Sequence, residues 1–188
     1  MPQPIFTVGH STRPIEEFIR LLRSHEVRRL MDVRTVPRSR FNPQFDNSRL
    51  PASLREAGID YIHMPELGGL RKPRPDTPNG GWRNTSFRGY ADHMQTDTFR
   101  QGLEHCIELA NDERIALMCA EAVPWRCHRS LIADALIARG VNVMEITGEG
   151  KARAHALTSF ARVDGTTVTY PAPKPDEGEP ESQPGLDL

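Results

Sequence analysis

Two cysteines and a histidine share one short stretch of this chain, residues 115–140, which reads IALMCAEAVPWRCHRSLIADALIARG. The thiolate is the reactive form of cysteine, and helix starts and nearby arginines lower a thiol's pKa. Cys119 closes an apolar run, faces a helix start and shares its loop with Arg126 and Arg129. It is the leading candidate nucleophile. His128 is placed to act as the base that activates a thiol, and Cys127 to resolve a sulfenic acid or disulfide on Cys119. The competing explanations are plain ones: a small buried residue at a strand end for Cys119, and a packed helix-start ring for His128. Cys106 lies on an apolar helical stripe and reads as core.

Other residues join this group through the ends of other strands. His10 and Ser11 follow Gly9 at the end of a first apolar run, where glycine permits a close approach of backbone. Arg34 ends a second run, Glu66 follows a third, and Glu121 lies in the cysteine loop itself. Ser11, Arg34, Glu66, Glu121, Arg126 and Arg129 are the candidate substrate-binding residues, and Cys119, His128, His10 and Cys127 the candidate catalytic ones. Asp32 sits inside an apolar run. A buried carboxylate needs a partner, and Arg34 or a helix start would supply it. No CxxC pair marks a zinc site, and no cofactor motif is present. The loop resembles the Cys loops of rhodaneses and Cys-dependent phosphatases only superficially. Six residues separate Cys119 from Arg126, with Pro124 and no glycine among them, whereas an oxyanion cradle needs successive backbone N–H groups.

The elements that must position these residues follow from apolar patterning. Residues 5–8, 30–33, 61–64, 115–118 and 141–146 read as strands. Pro14 and the 15, 18, 19, 22 spacing read as an amphipathic helix. Leu50, Leu54 and Ala57 before Gly58 suggest a short helix, and Phe99, Leu103, Cys106, Ile107 and Ala110 form a longer stripe. A further helix runs from Ser130 to Ala138, with Gly140 at its exit. Residues 157–170 read as a hairpin with a type I′ turn about Asp164-Gly165. The alternation implies a single α/β domain: a mainly parallel sheet of about five strands, helices on both faces, and a small C-terminal β-hairpin. In such a sheet the carboxyl ends of the strands gather the candidate residues on one edge.

The chain divides as residues 1–170, one domain, and 171–188, a Pro- and Glu-rich segment with no apolar pattern that reads as disordered. Within the domain, 70–89 is an Arg-, Pro- and Gly-rich insert or flap anchored by Trp82 and Phe87. The net charge of −1 hides an asymmetry: residues 171–188 hold one Lys and five acids, leaving 23 basic and 20 acidic residues before them. Nearly all the basic residues are arginine, the better bidentate partner for phosphate and carboxylate. Three cysteines argue against a disulfide framework. No apolar run approaches a membrane span, and the opening residues do not read as a secretory signal, so the expected compartment is the cytoplasm.

Five motifs in order, TVGHST, MDVR, NPQF, ELGG and MCAEAVPWRCHRS, resemble the bacterial "domain of unknown function 488" family. The resemblance covers roughly residues 5–170 and implies an α/β fold in bacterial cytoplasmic proteins, with no established activity. Two readings of function remain. The preferred one is a Cys/His-dependent enzyme acting on a small anionic, phosphate-bearing or nucleotide-like ligand. The alternative is a nucleic-acid or nucleotide-binding module whose arginine loops, 34–41 and 71–88, contact phosphates while Phe41 or Trp82 stacks on a base.

Overall fold

The computed structural model describes residues 3–175. Six strands form one sheet: β1 (Ile5–Gly9), β2 (Arg29–Asp32), β3 (Asp60–His63), β4 (Ile115–Cys119), β5 (Val143–Gly148) and β6 (Lys151–Ala154). Their order is β3-β2-β4-β1-β5-β6. The first five are parallel, and β6 returns antiparallel along β5. The helices are α1 (Ile15–Ser24), α2 (Leu50–Glu56), α3 (Thr85–His93), α4 (Asp97–Asp112) and α5 (Arg129–Ile137). A hairpin of β7 (Arg162–Asp164) and β8 (Thr167–Thr169) follows.

The two central strands, β1 and β4, are buried along their whole length, as continuous apolar runs covered on both faces should be. Side chains of β4 alternate between two cores. Ala116 and Met118 pack with Phe18, Leu22, Leu50 and Leu54 of α1 and α2. Ile115, Leu117 and Cys119 pack with residues of α3, α4 and α5 on the other face. The result is a three-layer α/β domain with a mainly parallel sheet and a C-terminal hairpin, the expected architecture.

Details differ from the sequence expectations in instructive ways. β6 was not foreseen, because KARA has no apolar pattern and is held by pairing with β5 alone. Helix α3 begins inside the 70–89 insert: Asn84 caps it by accepting from the N–H groups of Ser86 and Phe87. The stretch before it is pinned from beneath by Asp92, whose carboxylate accepts from Arg74 N, Thr77 Oγ1 and Asn79 Nδ2. The hairpin turn centres on Gly165-Thr166, since Asp164 pairs with Thr167. Only Gly165 of those two has positive φ, so the turn is not type I′, which needs both. Most of the 171–188 segment falls on residues 176–188, outside the described residues.

Candidate active site

The carboxyl ends of β1, β2, β3 and β4 lie side by side on one edge of the sheet. From β4 the chain enters the cysteine loop, which is stitched to the end of β1. His10 N donates to Cys119 O and Ser11 N to Ala120 O. A Cβ on Gly9 would come within 1.9 Å of Glu121 O, so only glycine lets the loop lie there. The loop's own N–H groups turn inward: Val123 N to Glu121 Oε1, Arg126 N to Val123 O, Cys127 N to Pro124 O. A 3-10 turn over Pro124–Arg126 then delivers Cys127 and His128 to the start of α5.

Cys119 and Cys127 meet there, with their sulfurs 2.7 Å apart. Both are free thiols and buried. Cys127 Sγ also receives the Arg129 N–H at 3.5 Å, at the first turn of α5. Beside it lies His128. Its Nε2 is 3.0 Å from the carbonyl oxygen of Val33. A carbonyl only accepts, so Nε2 carries the hydrogen and Nδ1 presents its lone pair to Cys127 Sγ, 3.6 Å away. Burial pushes the His128 pKa down and keeps the ring neutral. A Cβ on Gly69 would lie 3.1 Å from that same Nδ1, so glycine there leaves room for the imidazole.

Arg129 is the unusual member. It is 1% exposed. Its Nη2 donates to Glu121 O, but among the described residues Nε and Nη1 are buried without a hydrogen-bond partner. A buried cation lacking a counter-ion is costly. Cys127, whose Sγ receives the Arg129 N–H, is an adjacent group able to supply a negative charge. Burial works against the Cys127 thiolate. The hydrogen bond with Cys119, the Arg129 guanidinium and the Arg129 N–H outweigh it, and the Cys127 pKa falls below the ordinary thiol value. Cys119 moves the other way, raised by burial and by the neighbouring Cys127. The lower thiol pKa therefore belongs to Cys127, whereas strand-end position alone had put Cys119 first. Cys106, on α4, is pushed up to about 12 by burial.

A cavity of about 370 Å³ opens over the pair. Cys119, Cys127, His128, Glu121, Arg126 and Arg34 all border it, and Leu70, Phe87 and Tyr90 give it apolar walls. Arg38 at its rim belongs to an arginine-rich loop the sequence singles out. Tyr90 carried no sequence signal, because α3 lacks a clean apolar period.

Three other sequence candidates, His10, Ser11 and Glu66, do not line the cavity, and Arg34, which does, is committed to the fold. Arg34 is bidentate to Asp32, Nε to Oδ1 at 2.9 Å and Nη2 to Oδ2 at 2.7 Å, and donates again to Phe45 O. This is the buried pair that Asp32 required. His10 stacks on Phe45, with ring centroids 4.2 Å apart. Its Nδ1 donates to Ser11 O, and its Nε2 accepts from Arg34 Nη1. Burial brings its pKa down to about 4. It lies behind Arg34 rather than on the cavity wall. Ser11 adopts φ 51° as the chain leaves β1. Glu66 sits in a 3-10 turn beside α4, where a Cβ on Gly102 would be 3.1 Å from its own Cβ. Among the described residues no three His, Cys, Asp or Glu side chains converge as a metal site would require.

No helix among the described residues is long and apolar enough to cross a membrane. Neither a curated protein nor a solved structure matches the chain. A family model described as "Domain of unknown function DUF488" matches residues 14–136, from the entry to α1 through nearly all of α5. That span holds both cysteines, His128 and Arg129, covers well over half of the chain, and makes this protein a member of the DUF488 family.

Proposed function

We propose that the protein is a thiol-dependent enzyme whose nucleophile is Cys127. His128 Nδ1 takes the thiol proton, Arg129 and the first turn of α5 hold the resulting thiolate, and Cys119 is its partner thiol. The cavity admits a small anionic substrate, with Arg126 and Arg38 at its wall. The observation that carries this reading is the orphaned Arg129 guanidinium beside two touching sulfurs. A fold that only packed these cysteines would have no reason to bury a cation next to them.

The nucleic-acid alternative loses support from the same structure. Arg34, Arg71, Arg74 and Arg88 are all hydrogen-bonded within the fold, to Asp32, to the carbonyls of Gly68 and Pro65, to Asp76 and to Trp82 O respectively. Arginines committed in this way do not make a continuous phosphate-binding stripe.

Brief alkylation of the native protein at neutral pH, read by mass spectrometry, tests the enzyme reading. Cys127 should be modified well before Cys106, and Cys127→Ser should abolish the fast phase. Reaction of all three cysteines only after denaturation would end the proposal.

A further inference from the structure

We propose, resting on the thiol-enzyme reading above, that Cys119 and Cys127 act as a redox pair that closes to a disulfide, and that the substrate is a small anionic disulfide. The geometry has three parts. The sulfurs are 2.7 Å apart, so neither loop nor helix need move far for them to bond. One sulfur faces a base, His128 Nδ1, and the other faces a carbonyl, Glu121 O, at 3.5 Å. One buried cation, Arg129, is tied to the same loop, its N–H on Cys127 Sγ at 3.5 Å and its Nη2 on Glu121 O.

The steps balance. The Cys127 thiolate attacks one sulfur of R–S–S–R. A bond forms from Cys127 Sγ to that sulfur, the substrate S–S bond breaks, and the first R–S⁻ leaves with the bonding pair and takes the proton that His128 Nδ1 accepted from Cys127. Cys127 is then neutral. Its charge no longer opposes ionisation of Cys119, while Arg129 still favours it. Cys119 gives up its proton to the freed His128 Nδ1 and attacks Cys127 Sγ. The Cys119–Cys127 bond forms, and the second R–S⁻ leaves and is protonated. The protein loses two electrons and the substrate becomes two thiols. A thiol reductant restores the pair by the same steps reversed. The arrangement passes one negative charge from Cys127 to Cys119 at the moment each is needed, without moving Arg129.

The cavity decides the substrate class. Cys127 is 7% exposed and Cys119 3%, so the sulfurs lie at the bottom of a recess. A recess of about 370 Å³ takes one arm of a small disulfide and excludes the flat surface of a folded protein. Arg126 and Arg38 border the opening against the single carboxylate of Glu121. That balance favours an arm bearing carboxylates over one bearing amines.

The test uses the full chain in its reduced form. It is mixed with oxidised glutathione, an anionic disulfide, or with cystamine, a cationic one, and quenched at intervals for mass spectrometry and peptide mapping. The expected result is a Cys119–Cys127 disulfide that forms at least about tenfold faster with oxidised glutathione than with cystamine. Cys119→Ser and Cys119→Ala should instead trap glutathione on Cys127. The wild-type result stands whether or not those variants fold. Three results would overturn the inference: a mixed disulfide on wild-type Cys127 that never resolves, equal rates with the two disulfides, or a disulfide that forms with hydrogen peroxide but with neither reagent. Any of these alongside fast alkylation of Cys127 leaves the thiol-enzyme reading standing. Loss of the fast alkylation removes both.

Discussion

Helix α5 carries two buried polar clusters, and they are satisfied in opposite ways. Near its middle, Asp134 is fully buried. Its carboxylate accepts from the Tyr170 hydroxyl at 2.7 Å, the Thr158 N–H at 3.1 Å and a ring nitrogen of His155 at 2.9 Å. The other His155 nitrogen meets Glu145, which also receives Arg153 Nε. No buried side-chain atom of that cluster lacks a partner. About one and a half turns earlier, Arg129 is equally buried with two donors unmatched. Each cluster borders a cavity, the Asp134 side one of about 350 Å³ walled by Trp82, Trp125 and Phe160. A cavity alone therefore does not separate them. What separates them is completeness. A closed network ties β5, β6, the chain after β6 and the C-terminal hairpin to α5, and it is structure. An open one holds charge in readiness for something else.

That contrast breaks if the closed cluster proves dispensable. Asp134→Ala leaves His155, Tyr170 and Thr158 N buried without their acceptor. The expected cost is about 3–5 kcal/mol, read as a lower urea midpoint, with a Cys127 alkylation rate in the remaining folded protein like that of wild type. The pH dependence sharpens the point. Burial alone would lower the His155 pKa, but the hydrogen bonds and charges of Asp134 and Glu145 raise it from 6.5 to about 9. The folded pKa lies above the unfolded one. The stabilisation is thus fully present below pH 6.5 and is lost as pH rises from 6.5 through 9, by at most roughly 3 kcal/mol. Unfolding titrations of wild type and His155→Gln should converge across that window. Parallel curves would mean that His155 is not charged in the network.

The open cluster was largely legible in the sequence and the closed one was not, for a physical reason. Cys119, Glu121, Arg126, Cys127, His128 and Arg129 are neighbours along one loop, so a strand end and a helix start suffice to place them together. The Arg34–Asp32 pair was legible because a carboxylate inside an apolar strand demands a counter-ion. Asp134 lies 21 residues from His155 and 36 from Tyr170, and no local pattern announces such a meeting. On an exposed helix face it would be unremarked, and α5 is instead buried on nearly every side. The choice between Cys119 and Cys127 was also out of reach, because it turns on which sulfur the Arg129 N–H and the His128 lone pair face. Glu66 and His10 were placed at the right edge of the sheet. Short-range geometry then directs them elsewhere: a 3-10 turn sets Glu66 beside α4, and stacking on Phe45 holds His10 behind Arg34.

The smallest expected effect is the most discriminating. Arg129→Met replaces a buried, half-satisfied cation by an apolar side chain of similar length. In a closed network such a change would be as damaging as Asp134→Ala, because partners would be stranded. Among the described residues the side-chain hydrogen bond lost is the one to Glu121 O, and the desolvation cost of the orphaned donors is relieved. Stability should change by less than about 1 kcal/mol. The thiol chemistry should change more. Without the guanidinium, burial regains the upper hand at Cys127, its pKa should rise, and alkylation at neutral pH should slow about tenfold. Alkylation followed across pH reads that shift directly, as displacement of the rate curve to higher pH with its plateau retained. An unmoved curve would show that Arg129 does not hold the thiolate. A collapse in stability equal to that of Asp134→Ala would show that the cation is satisfied in solution after all, and the two clusters of α5 would then be one kind of structure rather than two.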